Sequence, residues 1–429
     1  MKKNLLVIVW LVLNHISVKA DHHYLNRAHD ALIAVVMEDI FTPPVASRVH
    51  VYPFVAAYEV LTHKYKHLKP LAGQISHLKT IPKPTDPLVN YSVAAQYAFI
   101  KVAQKLVYSE HLLGEFQEKE NKLWLVSGVT PAQLKASEQY ASQVATHIIE
   151  WLSADNYTYT RTLERYVLAD STGAWVPTAP EYMNALEPNW PLMRSMVSDK
   201  SNYVRAIPNI AYSEDKSSEY YNNAMKLYTN SLRKDSAHIK TAIYWDDNPN
   251  TAVVNGHLTY FIHKISPPGH WLCITSQQTY AKKLSEDQIA ELFAMVSISL
   301  YEGFISCWAE KYISNAVRPE TYINRLIDSK WLPLIETPPF PEYTSGHSVI
   351  SAAAASMLTH YMPTPHRFTD STQMYLSLPP RSFSSYLAAA DEASVSRFYG
   401  GIHYMPALDN GNKQGKEVTA YILSRLHTR

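Results

Sequence analysis

Three short segments in the last third of this 429-residue chain carry the side chains best suited to chemistry. They are KYISNAVRP at 311–319, YTSGH at 343–347 and SRFYGGIH at 396–403. Together they supply three cations, two histidines, one hydroxyl and one glycine amide: Lys311, Arg318, Arg397, His347, His403, Ser345 and Gly346. Guanidinium and ammonium groups bind multi-oxygen anions. The set therefore predicts a cage for a tetrahedral dianion such as phosphate or vanadate, with histidines that move protons.

The first segment places two cations near the end of a long predicted helix. Arg318 follows Lys311 by seven residues and stands directly before Pro319. Seven residues make close to two helical turns, so both cations face the same side if the helix continues. Because the residue before a proline disfavours the helical conformation, we expect the helix to end at Arg318.

The second segment comes immediately before a predicted helix at 348–361 that is rich in small residues. The N-terminus of a helix gathers free N–H groups and positive partial charge, so an anion binds there readily. Gly346 lets the backbone approach the anion closely, and Ser345 can donate a hydroxyl hydrogen bond. His347 can exchange a proton with an apical oxygen of the anion.

The third segment closes a predicted helix at 382–398 with Arg397 and then breaks at a glycine doublet. The break allows His403 to turn back toward Arg397. A neutral imidazole there can ligate vanadium or attack phosphorus. Its other ring nitrogen needs an orienting partner, for which Asp409 is the candidate. Glu392 is the alternative acid of this region, as a partner of Arg397.

The order K-x6-RP, SGH and SR-x5-H resembles the signature shared by the vanadium-dependent haloperoxidases and the phosphatidic acid phosphatase type 2 superfamily. All seven residues of the predicted cage fall on this signature, which spans 308–409. One departure is Thr344, where proline usually precedes SGH. The resemblance implies that His403 ligates vanadium, that His347 is the second catalytic histidine, and that the other cage residues bind the oxygens of vanadate.

Two flanking aromatic residues favour the haloperoxidase branch of that resemblance. Phe340 belongs to the FPEY run at 340–343 and resembles the phenylalanine of chloroperoxidases, where bromoperoxidases have histidine. Trp308 precedes Lys311 by three residues, so both share a helix face. It resembles a tryptophan that lines the haloperoxidase pocket. The resemblance then implies an enzyme that binds vanadate and oxidises halide with hydrogen peroxide, without haem or flavin.

Two other functions remain open at this point. The same cage can hold a phosphoryl group, since vanadate resembles the geometry of phosphoryl transfer. The chain would then be a soluble exported acid phosphatase that binds phosphate esters, with His403 as nucleophile and His347 as general acid. The second alternative is a non-catalytic helical scaffold. Loss of a cage residue would favour the scaffold, and none is lost.

The first twenty residues have the pattern of a signal peptide. Two lysines precede an apolar run at 5–13, and small residues at 18–20 form a cleavage site. We therefore expect a secreted or periplasmic protein that begins at Asp21 when mature. The most apolar later run, 289–308, contains two glutamates, so no integral membrane segment is predicted after signal removal.

The rest of the chain is predicted to be mostly helical. Apolar residues at helical spacing predict helices at 29–41, 51–62, 90–108, 110–125, 130–152, 219–233, 285–315, 348–361, 382–398 and 413–427. Short linkers between such segments favour a helical bundle, and the family resemblance implies an all-α fold of two packed bundles. The predicted organisation is a signal peptide at 1–20, an N-terminal helical region at 21–217 and a C-terminal catalytic domain at 218–429.

Two stretches lack helical periodicity. Residues 153–217 are rich in proline, tryptophan and tyrosine, and we expect this long irregular connection to cover the mouth of the active site. Residues 242–275 are predicted to be β or irregular and carry His257, His263 and His270.

Charge and cysteine content add two limits. The net charge of +1 gives no global field toward nucleic acid, so no nucleic-acid partner is predicted. Cys273 and Cys307 are either one disulfide or two buried thiols, and the sequence leaves both open.

Overall fold

The structure is a computed structural model that describes residues 22–199, 204–249, 251–255, 257–261, 263–363 and 367–429. The predicted signal peptide at 1–20 lies outside the described residues.

Helices dominate the described part of the chain. In chain order they are α1 (Tyr24–Glu38), α2 (Pro43–Lys64), α3 (Tyr91–Gln104), α4 (Glu110–Val126), α5 (Pro131–Ser153), α6 (Tyr157–Thr160), α7 (Glu219–Leu232), α8 (Ser236–Tyr244), α9 (Pro267–Ala281), α10 (Glu286–Ser314), α11 (Pro319–Leu326), α12 (Gly346–Tyr361), α13 (Tyr386–Tyr399) and α14 (Met405–Arg425). Short 3-10 helices occur at Trp190–Leu192 and Thr372–Leu376. The prediction of an all-α fold is confirmed.

Two short antiparallel strand pairs accompany the helices. Strand β1 (Ala252–Asn255) pairs with β2 (Leu258–Phe261), with Ala252 opposite Phe261. Strand β3 (Phe368–Asp370) pairs with β4 (Arg381–Phe383), with Phe368 opposite Phe383. Both are too small to form a layer of their own, so the core is helical.

The helices form two groups that meet at α10. In the first group α3 packs against both α2 and α5, and in the second α12 packs against both α13 and α14. Helix α10 packs against α2 on one side and α12 on the other. A single apolar cluster includes buried side chains from Tyr24 to Leu426. The two groups therefore share one core.

The central helix α10 has clear start and stop signals. Ser285 and Gln288 form a capping box, and Glu286 and Asp287 lie in the positively polarised first turn. Among the described residues, α10 is the helix long and apolar enough to cross a membrane, and its apolar window is wholly buried inside the protein. A central core helix meets that same criterion, so α10 is explained by its position between the two groups.

Three local predictions need correction or completion. Helix α9 occupies the end of the stretch 242–275 that was predicted to be β or irregular. Proline suits the first turn of a helix, so Pro267 and Pro268 begin this helix rather than exclude it. In its described residues, 153–199 and 204–217, the long connection is irregular apart from α6 and one 3-10 turn, as predicted. Cys273 and Cys307 are both free thiols.

Candidate active site

The two cations of the first segment are brought together by a turn. Helix α10 ends at Ser314, and Asn315 adopts the left-handed conformation with φ of 45°. Arg318 is extended, with φ of −76° and ψ of 152°, and Pro319 begins α11. The helix thus ends where the predicted range 285–315 has it, and the expectation that it reaches Arg318 is wrong. Asparagine tolerates the left-handed conformation that terminates a helix, and the proline starts the next one.

The ammonium group of Lys311 is fully buried and points at a turn of the second segment. Its Nζ donates to the carbonyl oxygens of Pro341 at 2.9 Å, Glu342 at 3.2 Å and Thr344 at 2.5 Å. Burial, together with the charge of Arg318, lowers the pKa of Lys311 to about 7. The lysine therefore ties the end of α10 to the loop that precedes α12.

Arg318 is also fully buried and contacts the third segment. Its Nε donates to the carbonyl of Phe340 at 2.8 Å, and its Nη1 to the carbonyl of Ile402 at 2.9 Å. The same Nη1 lies 3.1 Å from Nε2 of His403. The Nη2 atom is buried and has no hydrogen-bond partner. Arg318 thus keeps one unused donor beside the histidine.

The orienting partner of His403 is Glu342. Nδ1 of His403 lies 2.9 Å from Glu342 Oε1, and the backbone N–H of Tyr404 donates to the same oxygen at 3.0 Å. The prediction of Asp409 as this partner is wrong, because Asp409 is exposed on α14. Burial first, and then the charge of Arg318, hold the pKa of His403 well below its usual range. The ring is therefore neutral, with its proton on Nδ1 and a lone pair on Nε2.

A tight backbone break places His403 at this point. Gly401 has φ of 84°, a conformation that side-chain-bearing residues rarely adopt. A Cβ added at Gly401 would also lie 3.1 Å from the backbone of Pro333. The predicted break after α13 is therefore present, and glycine is required at its second position.

Arg397 is anchored by backbone oxygens. It lies in the last turn of α13, and its Nη2 donates to the carbonyls of Ala242 at 3.2 Å and Trp245 at 2.6 Å. The alternative prediction that Glu392 pairs with Arg397 is wrong. Glu392 instead lies 3.1 Å from Nη1 of Arg381 and accepts a hydrogen bond from Trp245 Nε1 at 3.0 Å.

The second segment forms the N-terminus of α12, as predicted. Ser345 is the N-cap, and its Oγ accepts from the N–H of Ser348 at 3.3 Å. Gly346 and His347 are the first two residues of the helix, so their N–H groups have no partner within it. Burial and the charge of Arg397 hold the pKa of His347 well below its usual range, so this ring is also neutral.

The two flanking aromatic residues pack on the cations. Trp308 and Phe340 lie with ring centroids 5.0 Å apart. The Nζ of Lys311 is 4.9 Å from the Phe340 centroid, and the guanidinium carbon of Arg318 is also 4.9 Å from it. Cation–π contacts of this kind stabilise charge where water is excluded. Both aromatic side chains therefore belong to the same site.

Part of this set of residues lines a small cavity of about 40 Å³, whereas Lys311, Arg318 and Ser345 lie behind its lining. Its lining includes Trp308, Phe340, Gly346, His347, Arg397 and His403. Pro43, at the start of α2, and Leu186 also line it. The carbonyl of Leu186 accepts from Trp308 Nε1 at 3.2 Å. The prediction that 153–217 covers the site is thus supported at Leu186.

Two acids that sequence analysis missed form a further wall of the cavity. Asp246 and Asp247 follow α8 and line the cavity, with Asp247 Oδ2 3.8 Å from His347 Nε2. His270 Nδ1 lies 3.0 Å from both carboxylate oxygens of Asp247. A pair of adjacent acids was the available signal, but the fold alone brings it to α12. Glu342 was also missed, although it stands inside the quoted FPEY run.

The donor set fits a tetrahedral oxyanion. Arg318 Nη2 and His347 Nε2 are buried polar atoms without hydrogen-bond partners. Such atoms are rare in native proteins unless a ligand or water satisfies them. The first N–H groups of α12 point to the same place. Lys311, Arg318 and Arg397 supply positive charge, and His403 Nε2 supplies a lone pair. Vanadate and phosphate both match this set.

A family model matches the C-terminal part of the chain. The model of the VCPO second helical-bundle domain matches residues 291–428, which include all seven cage residues. No curated protein matches this sequence.

Three solved structures share the fold. One, described as the first bacterial vanadium-dependent iodoperoxidase, is 37% identical, with a TM-score of 0.90, and covers 96% of this chain and 98% of its own. A holo-type bacterial vanadium-dependent chloroperoxidase is 12% identical, with a TM-score of 0.71, covering 96% and 99%. An apo-type bacterial chloroperoxidase is 14% identical, with a TM-score of 0.67, covering 90% and 95%. The two chloroperoxidases show the fold alone.

Identity of 37% over nearly the whole of both chains is well beyond a likeness of fold. The chain therefore belongs to the vanadium-dependent haloperoxidase family.

Proposed function

We propose that this protein is a vanadium-dependent haloperoxidase, which binds vanadate in its cage and uses hydrogen peroxide to oxidise halide. The observation that carries the proposal is a set of three buried cationic side chains that form no ion pair in the described part of the chain, although acids lie nearby. Lys311, Arg318 and Arg397 are each at most 2% exposed, and within the described residues none forms an ion pair with a carboxylate. Buried charge is costly unless it is paired. A bound oxyanion supplies the missing partner.

Each residue then has a distinct task. The three cations neutralise the oxyanion, and Ser345 and Gly346 donate hydrogen bonds to it. His403 holds vanadium through Nε2 while Glu342 keeps its Nδ1 proton in place. His347 would hold or release a proton beside the bound oxyanion. When bound, vanadate supplies a Lewis acid that activates hydrogen peroxide toward halide.

Iodide is the halide we propose to test first. The 37% identical relative is described as an iodoperoxidase. Phe340 resembles the residue of chloroperoxidases, but the chloroperoxidase structures are only 12% and 14% identical. The higher identity supports iodide, which is also the most easily oxidised of the three halides.

The test is triiodide formation by the purified protein with peroxide and iodide, with and without added orthovanadate. We expect turnover that requires vanadate and disappears in His403→Ala, because that substitution removes the vanadium ligand. The matched control is His360→Ala, which changes an exposed histidine in the last turn of α12. Its rate of vanadate-dependent triiodide formation should equal that of the unsubstituted protein.

Other outcomes point to the two alternative functions. Cleavage of p-nitrophenyl phosphate that vanadate inhibits, without any halide oxidation, would make the protein an acid phosphatase with His403 as nucleophile. If the protein neither oxidises halide nor cleaves the phosphate ester, and does not bind vanadate, it is a non-catalytic scaffold.

We also propose export, on the strength of the signal-peptide pattern in residues 1–20. Expression of the whole chain should release a mature form whose mass corresponds to a start at Asp21. Val9→Arg interrupts the apolar run and should keep the full-length chain inside the cell. Equal export of the two proteins would refute the proposal.

A further inference from the structure

A buried histidine lies between two carboxylates next to the candidate active site. His270, in the first turn of α9, has Nδ1 3.0 Å from both carboxylate oxygens of Asp247. Its Nε2 lies 2.8 Å from Oδ2 of Asp370, at the end of β3. His270 and Asp370 are fully buried, and Asp247 is 1% exposed. Three distant parts of the chain therefore meet at one ring.

The two carboxylates favour an imidazolium, although the amide nitrogen of Gln373 also lies 3.2 Å from Nδ1 of His270. Ionised carboxylates only accept hydrogen bonds, so both ring nitrogens of His270 must donate. Burial opposes the charge, but Asp247 and Asp370 outweigh it and raise the pKa of His270 to about 10. The ring of Trp245 stacks on His270 with centroids 4.6 Å apart and fixes its plane.

This arrangement holds Asp247 in one orientation. Besides His270, the Nε2 of Gln373 donates to Asp247 Oδ1 at 2.6 Å. With Oδ1 bonded to Gln373 and both oxygens 3.0 Å from His270 Nδ1, the carboxylate of Asp247 is fixed, and its Oδ2 lies within 4 Å of His347. The distance from Oδ2 to His347 Nε2 is 3.8 Å, and that nitrogen is buried and has no hydrogen-bond partner.

The distance of 3.8 Å between Asp247 and His347 allows a hydrogen bond to form when His347 becomes protonated. Neutral His347 is surrounded by positive charge from Arg397, His270 and Lys311, which disfavours its protonated form. Asp247 is the acid that faces it across the cavity wall. Once His347 takes up a proton, a contraction to about 2.8 Å gives a charge-assisted hydrogen bond. Such a bond can form only if Asp247 is already aimed at the ring.

Building on the proposed function, we propose that His270 is a positioning residue for His347. Through Asp247 it fixes the carboxylate that receives the protonated ring of His347, and Asp370 in turn fixes His270. The proton itself stays on His347, and His270 touches neither the oxyanion nor the halide. An ion triad that only joins α9 to β3 would stabilise the fold but would not be coupled to His347.

The test is a double-mutant cycle with His270→Gln, His347→Ala and the combined variant. Glutamine cannot carry the positive charge or bridge both acids. We expect His270→Gln to lower kcat/KM for peroxide by about 10-fold or more while vanadate affinity changes little, as for other outer positioning groups. In the His347→Ala background the same substitution should have no further effect. Additive losses in the cycle would overturn the proposal.

A milder variant and a control variant distinguish a loss of positioning from a loss caused by misfolding. Gln373→Met removes one hydrogen bond to Asp247 at nearly constant volume and should show a smaller loss with the same non-additivity. His50→Gln changes another fully buried histidine, far from the site in α2, and should leave kcat/KM unchanged. A loss in His50→Gln as large as that in His270→Gln would overturn the proposal.

A readout without turnover separates this inference from the proposed function. Nitrogen NMR of histidine-labelled protein, with the His270 signals assigned by their loss in His270→Gln, should show both ring nitrogens protonated near neutral pH. A neutral His270 overturns the inference while the haloperoxidase proposal stands. If halide oxidation is absent, the cycle is run on p-nitrophenyl phosphate cleavage. The absence of both activities overturns both proposals.

Discussion

The residues of the site include buried polar atoms without hydrogen-bond partners, which are rare in a folded core. Arg318 is fully buried and keeps an unpartnered Nη2, and burial lowers its pKa to about 10. His403 keeps its Nε2 lone pair because Glu342 holds the proton on the other nitrogen. Binding of the oxyanion would exchange the contact between Arg318 Nη1 and His403 Nε2, while the orientation of the ring is already fixed. The residues are thus arranged for the ligand before it arrives.

Glu342 offers the first test at this scale. In Glu342→Gln the amide oxygen can still accept from His403 Nδ1 and Tyr404 N–H, but the negative charge is gone. Loss of such outer partners usually weakens metal binding by about 10–100-fold. We expect a loss of that size in vanadate affinity, measured by equilibrium dialysis.

The matched control is Asp409→Asn, because Asp409 was the acid that the sequence indicated and it is exposed. Its vanadate affinity should stay at the level of the unsubstituted protein. A larger loss in Asp409→Asn than in Glu342→Gln would restore the sequence-based assignment.

The second residue-scale prediction concerns pH. The pKa of His270 rises from 6.5 to about 10 on folding, so its stabilisation is complete below pH 6.5 and is lost as pH rises toward 10. The loss should be on the order of a few kcal/mol. The measurement is urea denaturation of the unsubstituted protein and of His270→Gln at a series of pH values up to about 9, because free tyrosines ionise above that pH. The difference in unfolding free energy between them should shrink as pH rises, and a constant difference would contradict the prediction.

At the scale of elements, the site depends on where helices stop. Asn315 ends α10 four residues after Lys311, Ser345 caps α12, and Gly401 breaks the chain after α13. Each stop directs the next few residues into the same cavity. The helices supply rigid positions, and the stops supply the changes of direction.

Gly401 provides the test for this scale. Gly401→Ala places a side chain at φ of 84° and 3.1 Å from the Pro333 backbone. The conformation alone costs about 1–2 kcal/mol, and the contact should displace His403. We expect reduced stability together with weaker vanadate binding, measured by urea denaturation and dialysis.

Gly128→Ala is the control, since Gly128 has φ of 98° with nothing within 4 Å of the added Cβ. It should lose stability by about the same conformational cost and keep its vanadate affinity. Weaker vanadate binding in both variants would show that general destabilisation, not the position of His403, is responsible.

The sequence predicted some elements better than others, for a physical reason. Capping signals and apolar spacing are local, so most helices and the order of the cage residues were readable. Glu342 and His403 are 61 residues apart, and Asp247 and Gln373 are 126 apart. Partnerships over such separations depend on tertiary packing, which local patterns do not encode. Asp409, six residues from His403, was selected because it was near in sequence.

At the scale of the whole molecule, the cavity lies where both helical groups and the long connection meet. Pro43 comes from the first group, Leu186 from the connection, and His347 and His403 from the second. The buried carboxylate of Glu302 on α10 binds the connection as well, accepting from Ser195 Oγ at 2.7 Å and Met196 N at 2.6 Å. The site is therefore a property of the entire chain, not of its C-terminal part.

This continuity predicts that vanadate stabilises the protein as one unit. Because a ligand that binds the folded state adds RT ln(1 + [L]/Kd), vanadate at 100 times its Kd should add about 2.7 kcal/mol. Calorimetry should show a single unfolding transition that moves to higher temperature with vanadate. The fragment 218–429 lacks α2, Leu186 and half of the shared core, so it should neither bind vanadate nor unfold cooperatively. A folded, vanadate-binding fragment would instead establish the predicted boundary at 217 as that of an independent catalytic domain.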